Sequence, residues 1–256
     1  MHGPMSDDII LSASGLTKEF KGFVAVDDVA LAVRRGTIHA LIGPNGAGKT
    51  TCFNLLTKVL TPTRGRIVYN GRDITRMRPA DIARLGLVRS FQISAVFGQM
   101  TVLENVRIAL QRRLHGDCFD FWRSERVLSS LHDEAWALVD AVGLADLAVV
   151  PASELSYGRK RALEIATTLA LDPEMLLLDE PMAGMTQEDV DRISALIRRI
   201  SKDRTILMVE HNLSVVASLS HRITVLTRGK ILAEGDYQTV SSDPRVVEAY
   251  IGVPNA

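Results

Sequence analysis

A glycine-rich segment of the chain has the residue types and spacing of a phosphate-binding loop. GPNGAGKT at Gly43–Thr50 matches G-x-x-x-x-G-K-[ST] and lies between apolar runs at Thr37–Ile42 and Thr51–Leu60. Glycines let the backbone approach phosphate oxygens, and N–H groups of the loop and the following helix supply partial positive charge. Lys49 is expected to reach the β- and γ-phosphates, and Thr50 to ligate Mg²⁺. The motif alone predicts only that a nucleoside triphosphate binds, through Gly43, Pro44, Asn45, Gly46, Ala47, Gly48, Lys49, Thr50 and Thr51.

Two adjacent carboxylates stand at the end of another apolar run. Met175–Leu178 leads directly into Asp179 and Glu180. Open α/β sheets bind their ligands at the carboxyl ends of their strands, which is where these acids would lie. Asp179 is then placed to hold Mg²⁺, directly or through water, and Glu180 to take a proton from the attacking water. The alternative is an acidic turn that merely ends a strand, but the phosphate loop in the same chain favours hydrolysis.

The segments around these residues alternate between strand and helix patterns. Short apolar runs at Thr37–Ile42, Met175–Leu178 and Thr205–Val209 are typical of buried strands. Apolar residues recur at helical spacing through Leu155–Leu171 and Val190–Ile200. This alternation predicts an α/β fold with a largely parallel sheet covered by helices.

Glycine-containing dipeptides mark two tight turns. Asn70-Gly71 follows the run Arg66–Tyr69, and Arg228-Gly229 separates Ile223–Thr227 from Lys230–Ala233. Each pattern is typical of a strand that reverses direction, and the second predicts a β-hairpin.

The composition excludes several classes of protein. Lys plus Arg equals Asp plus Glu at 30 each, so no global charge attracts nucleic acid. No apolar run is long enough to cross a bilayer, and the first residues lack the basic start and apolar stretch of a secretory signal. Cys52 and Cys118 are expected to be reduced thiols. We therefore expect a cytoplasmic chain that reaches a membrane only by docking onto other subunits.

Beyond the phosphate loop and the acidic pair, the chain resembles the ATP-binding-cassette (ABC) family over nearly its whole length. The segment LSYG at Leu155–Gly158 is similar to the family signature LSGGQ. Ser156 is a favourable N-cap, and a helix N-terminus attracts anions. The resemblance implies that Ser156 and Gly158 grip the γ-phosphate of ATP held by a second subunit. The basic run Arg159–Arg161 opposes the helix dipole, and a nearby anion would relieve that conflict.

Three further residues gain roles from the resemblance. Gln92, in Ser90–Gln92, stands at the glutamine-loop position, where it would contact Mg²⁺ or the attacking water. His211 corresponds to the switch histidine that contacts the γ-phosphate. Phe20 stands where an aromatic residue stacks on adenine, with Phe23 as a competing candidate and a core role as the alternative for either ring.

The resemblance also implies the architecture. It predicts a P-loop NTPase ABC cassette of the α/β class, with a mainly parallel core sheet and an N-terminal antiparallel β region. A helical subdomain at about 93–172 would be inserted into a single nucleotide-binding domain spanning 1–256. The family works as a dimer, in which each ATP, with Mg²⁺, is held between the phosphate loop of one subunit and the signature of the other.

Three residues depart from the family pattern. Tyr157 replaces a glycine and Arg159 a glutamine in the signature, and Thr186 stands where an acidic or amide residue is common. These departures concern coupling between the subunits rather than ATP binding.

A closer similarity is to the ATPase subunits of branched-chain amino-acid importers. It rests on LSYG and on four segments: Phe91–Gln92, Val96–Phe97, Met100–Val106 and the ending Asp243–Gly252. Urea and short-amide importers belong to the same branch, and the segment Ala183–Thr186 fits them as well.

The resemblance implies three kinds of partner. They are a second ATPase subunit (this chain or a paralogue), two transmembrane permease subunits, and a periplasmic or extracellular substrate-binding protein, with no nucleic acid. The chain would lie on the cytoplasmic inner face of the cell membrane.

A rival interpretation is a soluble ABC ATPase that acts on DNA, ribosomes or iron–sulfur parts. Another is a module without catalysis, against which Lys49, Glu180 and His211 argue. The segment His115–Trp122 is expected to pack in the helical subdomain or to dock on a membrane subunit.

Overall fold

The computed structural model describes residues 8–90, 96–114 and 125–251. They belong to two compact units. The first is drawn from Met1–Leu87, Glu174–Pro181 and Ile197–Ala256, and the second from Val88–Pro173 and Met182–Leu196. Gln92 and the segment His115–Trp122 lie outside the described residues, so their roles stay predictions.

The first unit contains a four-stranded antiparallel sheet, as the resemblance implies. Its strands are β1 (Ile9–Phe20), β2 (Phe23–Arg34), β4 (Arg64–Tyr69) and β5 (Arg72–Asp73), in the order β2-β1-β4-β5. In β2 the buried Val29, Leu31 and Val33 alternate with exposed residues, which is typical of a sheet with one solvated face. The predicted turn between β4 and β5 is confirmed, since Asn70 and Gly71 have φ values of 46° and 73°, as type I′ hairpin turns require.

A second sheet has six strands, in the order β10-β9-β3-β8-β7-β6. Its strands are β3 (Ile38–Ile42), β6 (Leu87–Arg89), β7 (Met175–Asp179), β8 (Thr205–Val209), β9 (Arg222–Thr227) and β10 (Lys230–Gly235). The strands β9, β3, β8 and β7 are parallel, and β10 forms the predicted antiparallel hairpin with β9. Every residue of β3 and β8 is buried, which explains why their sequences are nearly continuous apolar runs.

The helices of the described residues are divided between the units. The first unit contains α1 (Lys49–Leu56), α2 (Pro79–Arg84), α7 (Leu213–Leu219), α8 (Tyr237–Ser241) and α9 (Pro244–Ile251). The second unit contains α3 (Val102–Leu114), α4 (Glu125–Ala141) and α5 (Tyr157–Leu169). The helix α6 (Gln187–Ile200) begins in the second unit and ends in the first. The helices α1 and α5 end earlier than the sequence pattern indicates. Lys58 and Asp172, with φ values of 60° and 49°, follow those ends in the left-handed conformation that commonly terminates a helix. Within the described ranges, every helix falls short of the length and apolar character that a membrane span requires.

Three helices form the core of the second unit. The helices α3, α4 and α5 contact one another and bury apolar side chains such as Val106, Val139 and Leu163. A capping box opens α3, because the Thr101 hydroxyl accepts a hydrogen bond from the Glu104 N–H and the Glu104 carboxylate accepts one from the Thr101 N–H. These bonds fix the start of the helix at the residue that the sequence pattern predicts.

Cys52 lies on α1, inside the core of the first unit. Its side chain is fully buried, and burial raises the pKa of the thiol to about 12. Because the thiolate is the reactive form, Cys52 should resist alkylation by iodoacetamide at about pH 8 in the folded protein and react after unfolding. Mass spectrometry of the labelled peptides measures this, with the urea-unfolded protein as the control. Rapid labelling of Cys52 in the folded protein would contradict the buried placement.

Candidate nucleotide-binding and hydrolysis site

The glycine-rich loop connects β3 to α1, as its sequence context predicts. Two of its glycines are required by close neighbours. A Cβ atom on Gly43 would lie 2.2 Å from the carbonyl oxygen of Leu226, and one on Gly48 would lie 2.5 Å from that of Ala25. Gly48 is also the N-cap of α1, with a φ of 97° that strains any residue with a side chain. The loop therefore packs closely against β9 and β2, and its last residues begin the helix.

Lys49 is a buried cation at the start of α1. Its ammonium donates hydrogen bonds to the carbonyl oxygens of Gly43 at 2.7 Å and of Pro44 at 3.0 Å, so the side chain lies across the loop. Burial lowers the pKa of Lys49, and the carboxylate of Glu180 opposes that shift. The charge of Glu180 therefore acts on the phosphate loop, although the two motifs are far apart in sequence.

Three neighbouring parallel strands bring the candidate residues to one edge of the core sheet. Val209 of β8 is level with Leu41 of β3 on one side and with Asp179 of β7 on the other. The phosphate loop, His211 and Glu180 follow these three positions along the chain. This is the carboxyl edge, where open α/β sheets bind their ligands. The structure thus brings together the loop, the acidic pair and the histidine.

Glu180 has an unusual backbone conformation. Its φ of 44° lies in the left-handed region, which costs a residue with a side chain about 1–3 kcal/mol. The Glu180 N–H donates to the carbonyl oxygen of Val209 at 2.9 Å, which holds the turn at the end of β7. Asp179 beside it is half-buried, whereas Glu180 is exposed. Backbone strain of this kind concentrates at functional sites, and here it occurs at the candidate general base.

Both candidate adenine contacts lie at the turn between β1 and β2. Phe20 pairs with Phe23 across the turn, and they are 41% and 68% exposed, which excludes a core role for either ring. The Lys18 ammonium lies 5.1 Å from the centre of the Phe20 ring, in a cation–π contact. Beyond the turn, β2 passes close to the phosphate loop at Ala25. An adenine contact from this turn is therefore compatible with the position of the loop.

The signature segment opens α5 in the second unit. Ser156 occupies the N-cap with an extended backbone, as predicted, but its hydroxyl forms no capping hydrogen bond with the helix. Gly158 packs against the carboxylate of Asp189, and a Cβ atom on Gly158 would lie 2.3 Å from the Asp189 Oδ1 atom. A side chain at position 158 would therefore have to displace the Asp189 carboxylate from this contact between the starts of α5 and α6.

Two of the three cations that follow the signature have partners inside the second unit. Lys160 donates to the carbonyl oxygen of Ser153 at 3.0 Å. Arg161 is buried and forms an ion pair with Glu164, with 2.6 Å between the Nη1 and Oε2 atoms. The predicted conflict between the basic run and the helix dipole therefore applies mainly to Arg159, which is exposed.

Thr186, one of the departures from the family pattern, caps α6. Its Oγ1 atom accepts a hydrogen bond from the Asp189 N–H at 3.3 Å and donates one to the Asp189 carboxylate at 3.2 Å. Threonine is a favourable N-cap, so this departure preserves the start of the helix. Because the same Asp189 packs against Gly158, a single side chain joins the Thr186 loop to the signature.

Comparison with known proteins identifies the family. A family model described as "ABC transporter" matches residues 26–183, which include the phosphate loop, the signature and the acidic pair. The chain belongs to this family. It is therefore an ATP-binding cassette that hydrolyses ATP. A second model, "Branched-chain amino acid ATP-binding cassette transporter", matches residues 230–254 of this ABC ATPase, which contain β10, α8 and α9.

Relatives of this ABC ATPase match it along almost their whole length. The high-affinity branched-chain amino acid transport ATP-binding protein LivG of Salmonella typhimurium is 38% identical over 249 residues, covering 95% of this chain and 98% of LivG. BraF of Pseudomonas aeruginosa, which bears the same description, is 38% identical over 252 residues with the same coverage. A crystal structure of the ADP conformation of an ATP-binding cassette of an ABC transporter matches with a TM-score of 0.82, 31% identity, and coverage of 96% of this chain and 99% of that one.

Sequence reasoning assigned no role to two acidic residues that contact candidate site residues of the ABC ATPase. Glu210 is fully buried beside His211, and Asp189 packs against Gly158. The available signal for Glu210 was a charged residue at the end of an otherwise apolar buried strand. Asp189 gave no such signal, because its contact depends on where the first turns of two separate helices lie.

Alanine variants should distinguish the two adenine candidates. Stacking of a base on an aromatic ring contributes about 1–3 kcal/mol, so Phe20→Ala is expected to weaken ATP binding by about 5- to 150-fold. Phe23→Ala, the matched control, should change the affinity by less than about twofold, since the base would stack on Phe20. Isothermal titration calorimetry measures both. A larger loss in Phe23→Ala than in Phe20→Ala would assign the contact to Phe23 instead.

Proposed function

We propose that this chain is the ATP-hydrolysing subunit of an importer of branched-chain amino acids. Its role as the ATP-hydrolysing subunit is supported above all by one observation. Lys49, Glu180 and His211 converge at the carboxyl edge of the core sheet. The substrate class is supported by LivG and BraF, whose names state branched-chain amino acid transport, and by the match at 230–254. Urea and short-amide importers are the second candidate, because the segment Ala183–Thr186 fits both.

The phosphate loop would bind the triphosphate through its backbone and its lysine. The N–H groups of the loop and of the first turn of α1 would face the phosphate oxygens. The Lys49 ammonium would exchange its carbonyl partners for oxygens of the β- and γ-phosphates, since bonds between ionised groups are stronger than those to a neutral carbonyl. Phe20 would stack on the adenine ring and complete the site.

The residues at the carboxyl edge suit Mg²⁺. Thr50 offers a hydroxyl at the start of α1, Asp179 offers a carboxylate at the end of β7, and Gln92 is the further candidate ligand outside the described residues. Proteins usually bind Mg²⁺ through one or two side chains together with phosphate oxygens and water. The described residues contain no group of three or more His, Cys, Asp and Glu side chains able to hold a metal. Bound there, the ion would offset negative charge on the phosphates.

Hydrolysis would use two residues that follow the strands β7 and β8, Glu180 and His211. Glu180 would accept a proton from water as the water oxygen attacks the γ-phosphorus and the bond to ADP breaks. His211, which is exposed after β8, would contact the γ-phosphate. This contact would exist only while the γ-phosphate is bound. The Lys49 ammonium would remain on the phosphates and stabilise the charge of the leaving ADP.

Two cassettes would close around ATP. Each nucleotide would lie between the phosphate loop of one subunit and Ser156 and Gly158 of the other, which is either a copy of this chain or a paralogue. The γ-phosphate contacts both halves only before hydrolysis, so ATP would bind the closed dimer more tightly than the open one and shift the population. Loss of that contact after hydrolysis would let the dimer open.

Exposed apolar side chains of the second unit suit a permease contact. Phe97, Met100 and Val149 are 55%, 37% and 74% exposed. They lie on two segments joined by backbone hydrogen bonds, including Ala152 N–H to the Met100 oxygen at 2.9 Å. Exposed apolar surface of this kind marks interaction sites. Docking through this surface would place the chain on the inner face of the membrane, beside two permease subunits that receive substrate from a binding protein.

Affinity purification of the tagged full chain from membranes of its native host tests this assignment. Mild detergent should retain two permease subunits and the second ATPase subunit. The double variant Phe97→Asp, Val149→Asp should recover the permeases at least about fivefold less well, because it places charges in the contact. The control is Val59→Asp, an apolar residue of the first unit that is 59% exposed and should have no effect. Recovery only in the soluble fraction with ribosomal or DNA-bound partners would overturn the transport role.

A further inference from the structure

A carboxylate is buried at the end of β8, immediately before the switch histidine. Glu210 has no exposed surface, and it follows the five buried residues of β8. A buried carboxylate is strongly unfavourable unless hydrogen-bond donors compensate for the lost water. The local structure must therefore supply those donors, and their identity indicates what the side chain does.

Two donors come from the segment that carries His211. The Glu210 Oε2 atom accepts a hydrogen bond from the backbone N–H of His211 at 3.1 Å and from that of Asn212 at 3.3 Å. Asn212 in turn caps α7, since its side chain accepts from the N–H groups of Ser214 and Val215. The main chain of His211 is thus held between a buried side chain that precedes it and a helix cap that follows it.

The main chain at the same point is bound to both neighbouring strands. The Glu210 N–H donates to the carbonyl oxygen of Leu41 at 3.4 Å, on the strand that leads into the phosphate loop. The adjacent Val209 carbonyl accepts the N–H of Glu180 at 2.9 Å. Glu210 therefore connects the backbone of His211 to the hydrogen-bonded strand ends that also hold the phosphate loop and the proposed general base, Glu180.

We infer that Glu210 is a positioning residue, whose carboxylate fixes the main chain of His211 so that the imidazole meets the γ-phosphate. In this proposal Glu210 acts through His211 rather than on the nucleotide or the attacking water. This inference rests on the role of His211 in the proposed function. Its test must therefore separate a failure of that role from a failure of the link between the two residues.

A double-mutant cycle on the full chain provides this separation. His211→Ala alone should lower kcat for ATP by about 10²-fold, the usual effect of removing one donor to a reacting phosphate or oxyanion. Glu210→Met, which keeps the side-chain length and removes the acceptor, should lower kcat by about 10- to 100-fold with KM changed less than about threefold. In the His211→Ala background, Glu210→Met should change single-turnover hydrolysis by less than about twofold, because the residue through which it acts is gone.

Two further variants keep the cycle decisive. Glu210→Gln retains an acceptor oxygen without the charge and should lower kcat only about 3- to 10-fold, since hydrogen bonds to a charged acceptor are stronger. If Glu210→Met does not fold, this smaller loss must likewise vanish in the His211→Ala background. Thr205→Val, at the other end of β8, removes the acceptor of the Gly36 N–H at 3.0 Å and should leave kcat unchanged.

Three outcomes would overturn the inference. Equal loss from Glu210→Met with and without His211 would show that Glu210 acts independently of the histidine. Wild-type kcat in Glu210→Met, or a rise in KM without a fall in kcat, would show that it does not position the switch. Wild-type kcat in His211→Ala would remove the proposed role of His211, and with it the basis for this inference.

Discussion

Glu180→Gln should lower kcat for ATP by roughly 10²-fold or more and should trap the cassette as an ATP-bound dimer. General-base catalysis contributes about 10²- to 10⁴-fold, and the amide cannot accept the proton of the attacking water. Glutamine has nearly the same shape, so the left-handed turn and the hydrogen bond from residue 180 to Val209 are retained. ATP therefore still binds and stays intact between the subunits. Steady-state phosphate release measures the first effect, and size-exclusion chromatography with ATP measures the second.

The control for this variant is Glu248→Gln, an exposed glutamate on α9. It makes the same chemical change away from the carboxyl edge and should leave turnover at the wild-type value. Normal ATP hydrolysis in Glu180→Gln would remove Glu180 from the role of general base. A low turnover without the stable ATP-dependent dimer would mean instead that the substitution disturbs the turn after β7.

Lys49→Ala should abolish tight nucleotide binding. The ammonium is the buried cation of the phosphate loop, and hydrogen bonds between charged groups contribute about 1.5–3 kcal/mol each. Its loss should weaken ATP binding by about 10- to 100-fold or more. Because Lys49 is expected to reach the β- and γ-phosphates, the affinity for AMP should fall much less than the affinity for ATP. Calorimetric titration with ATP, ADP and AMP measures the three affinities.

The series of nucleotides separates a direct contact from damage to the loop. Lys49 also donates to the carbonyl oxygens of Gly43 and Pro44. If its removal distorts the loop, the affinities for all three nucleotides should fall equally. That result, or unchanged affinity for ATP, would contradict the phosphate contact. Lys202→Ala, an exposed lysine after α6, is the control for the loss of one positive charge.

The core of the site could be predicted because its signals are local in sequence. The strands β3, β7 and β8 lie inside the sheet, so each one is nearly a continuous apolar run. The phosphate-binding residues Gly43–Thr50 all lie within one continuous segment, and Asp179 and Glu180 stand directly at the end of a strand. Parallel strands then bring their carboxyl ends to one edge of the sheet, whatever their order.

Contacts between separate segments could not be predicted from these patterns. Gly158 meets Asp189 only because the first turns of α5 and α6 lie together, and no spacing in the sequence encodes that contact. Arg161 belongs to the basic run that was expected to oppose the helix dipole, although Glu164 stands at the i,i+3 spacing that allows an ion pair. The sequence pattern does not show that both side chains are buried. The role of Glu210 in the site could not be predicted for the same reason, because it depends on the burial of the side chain.

We propose that ATP hydrolysis by this chain powers the import of branched-chain amino acids. Its most direct test is uptake of radiolabelled leucine by proteoliposomes that contain the permease subunits and this chain, with the binding protein outside and ATP inside. We expect ATP-dependent uptake of leucine, isoleucine and valine that is lost with Glu180→Gln, and no uptake of urea or acetamide. Uptake of urea or acetamide without leucine, or leucine uptake that survives Glu180→Gln in every ATPase subunit, would contradict it.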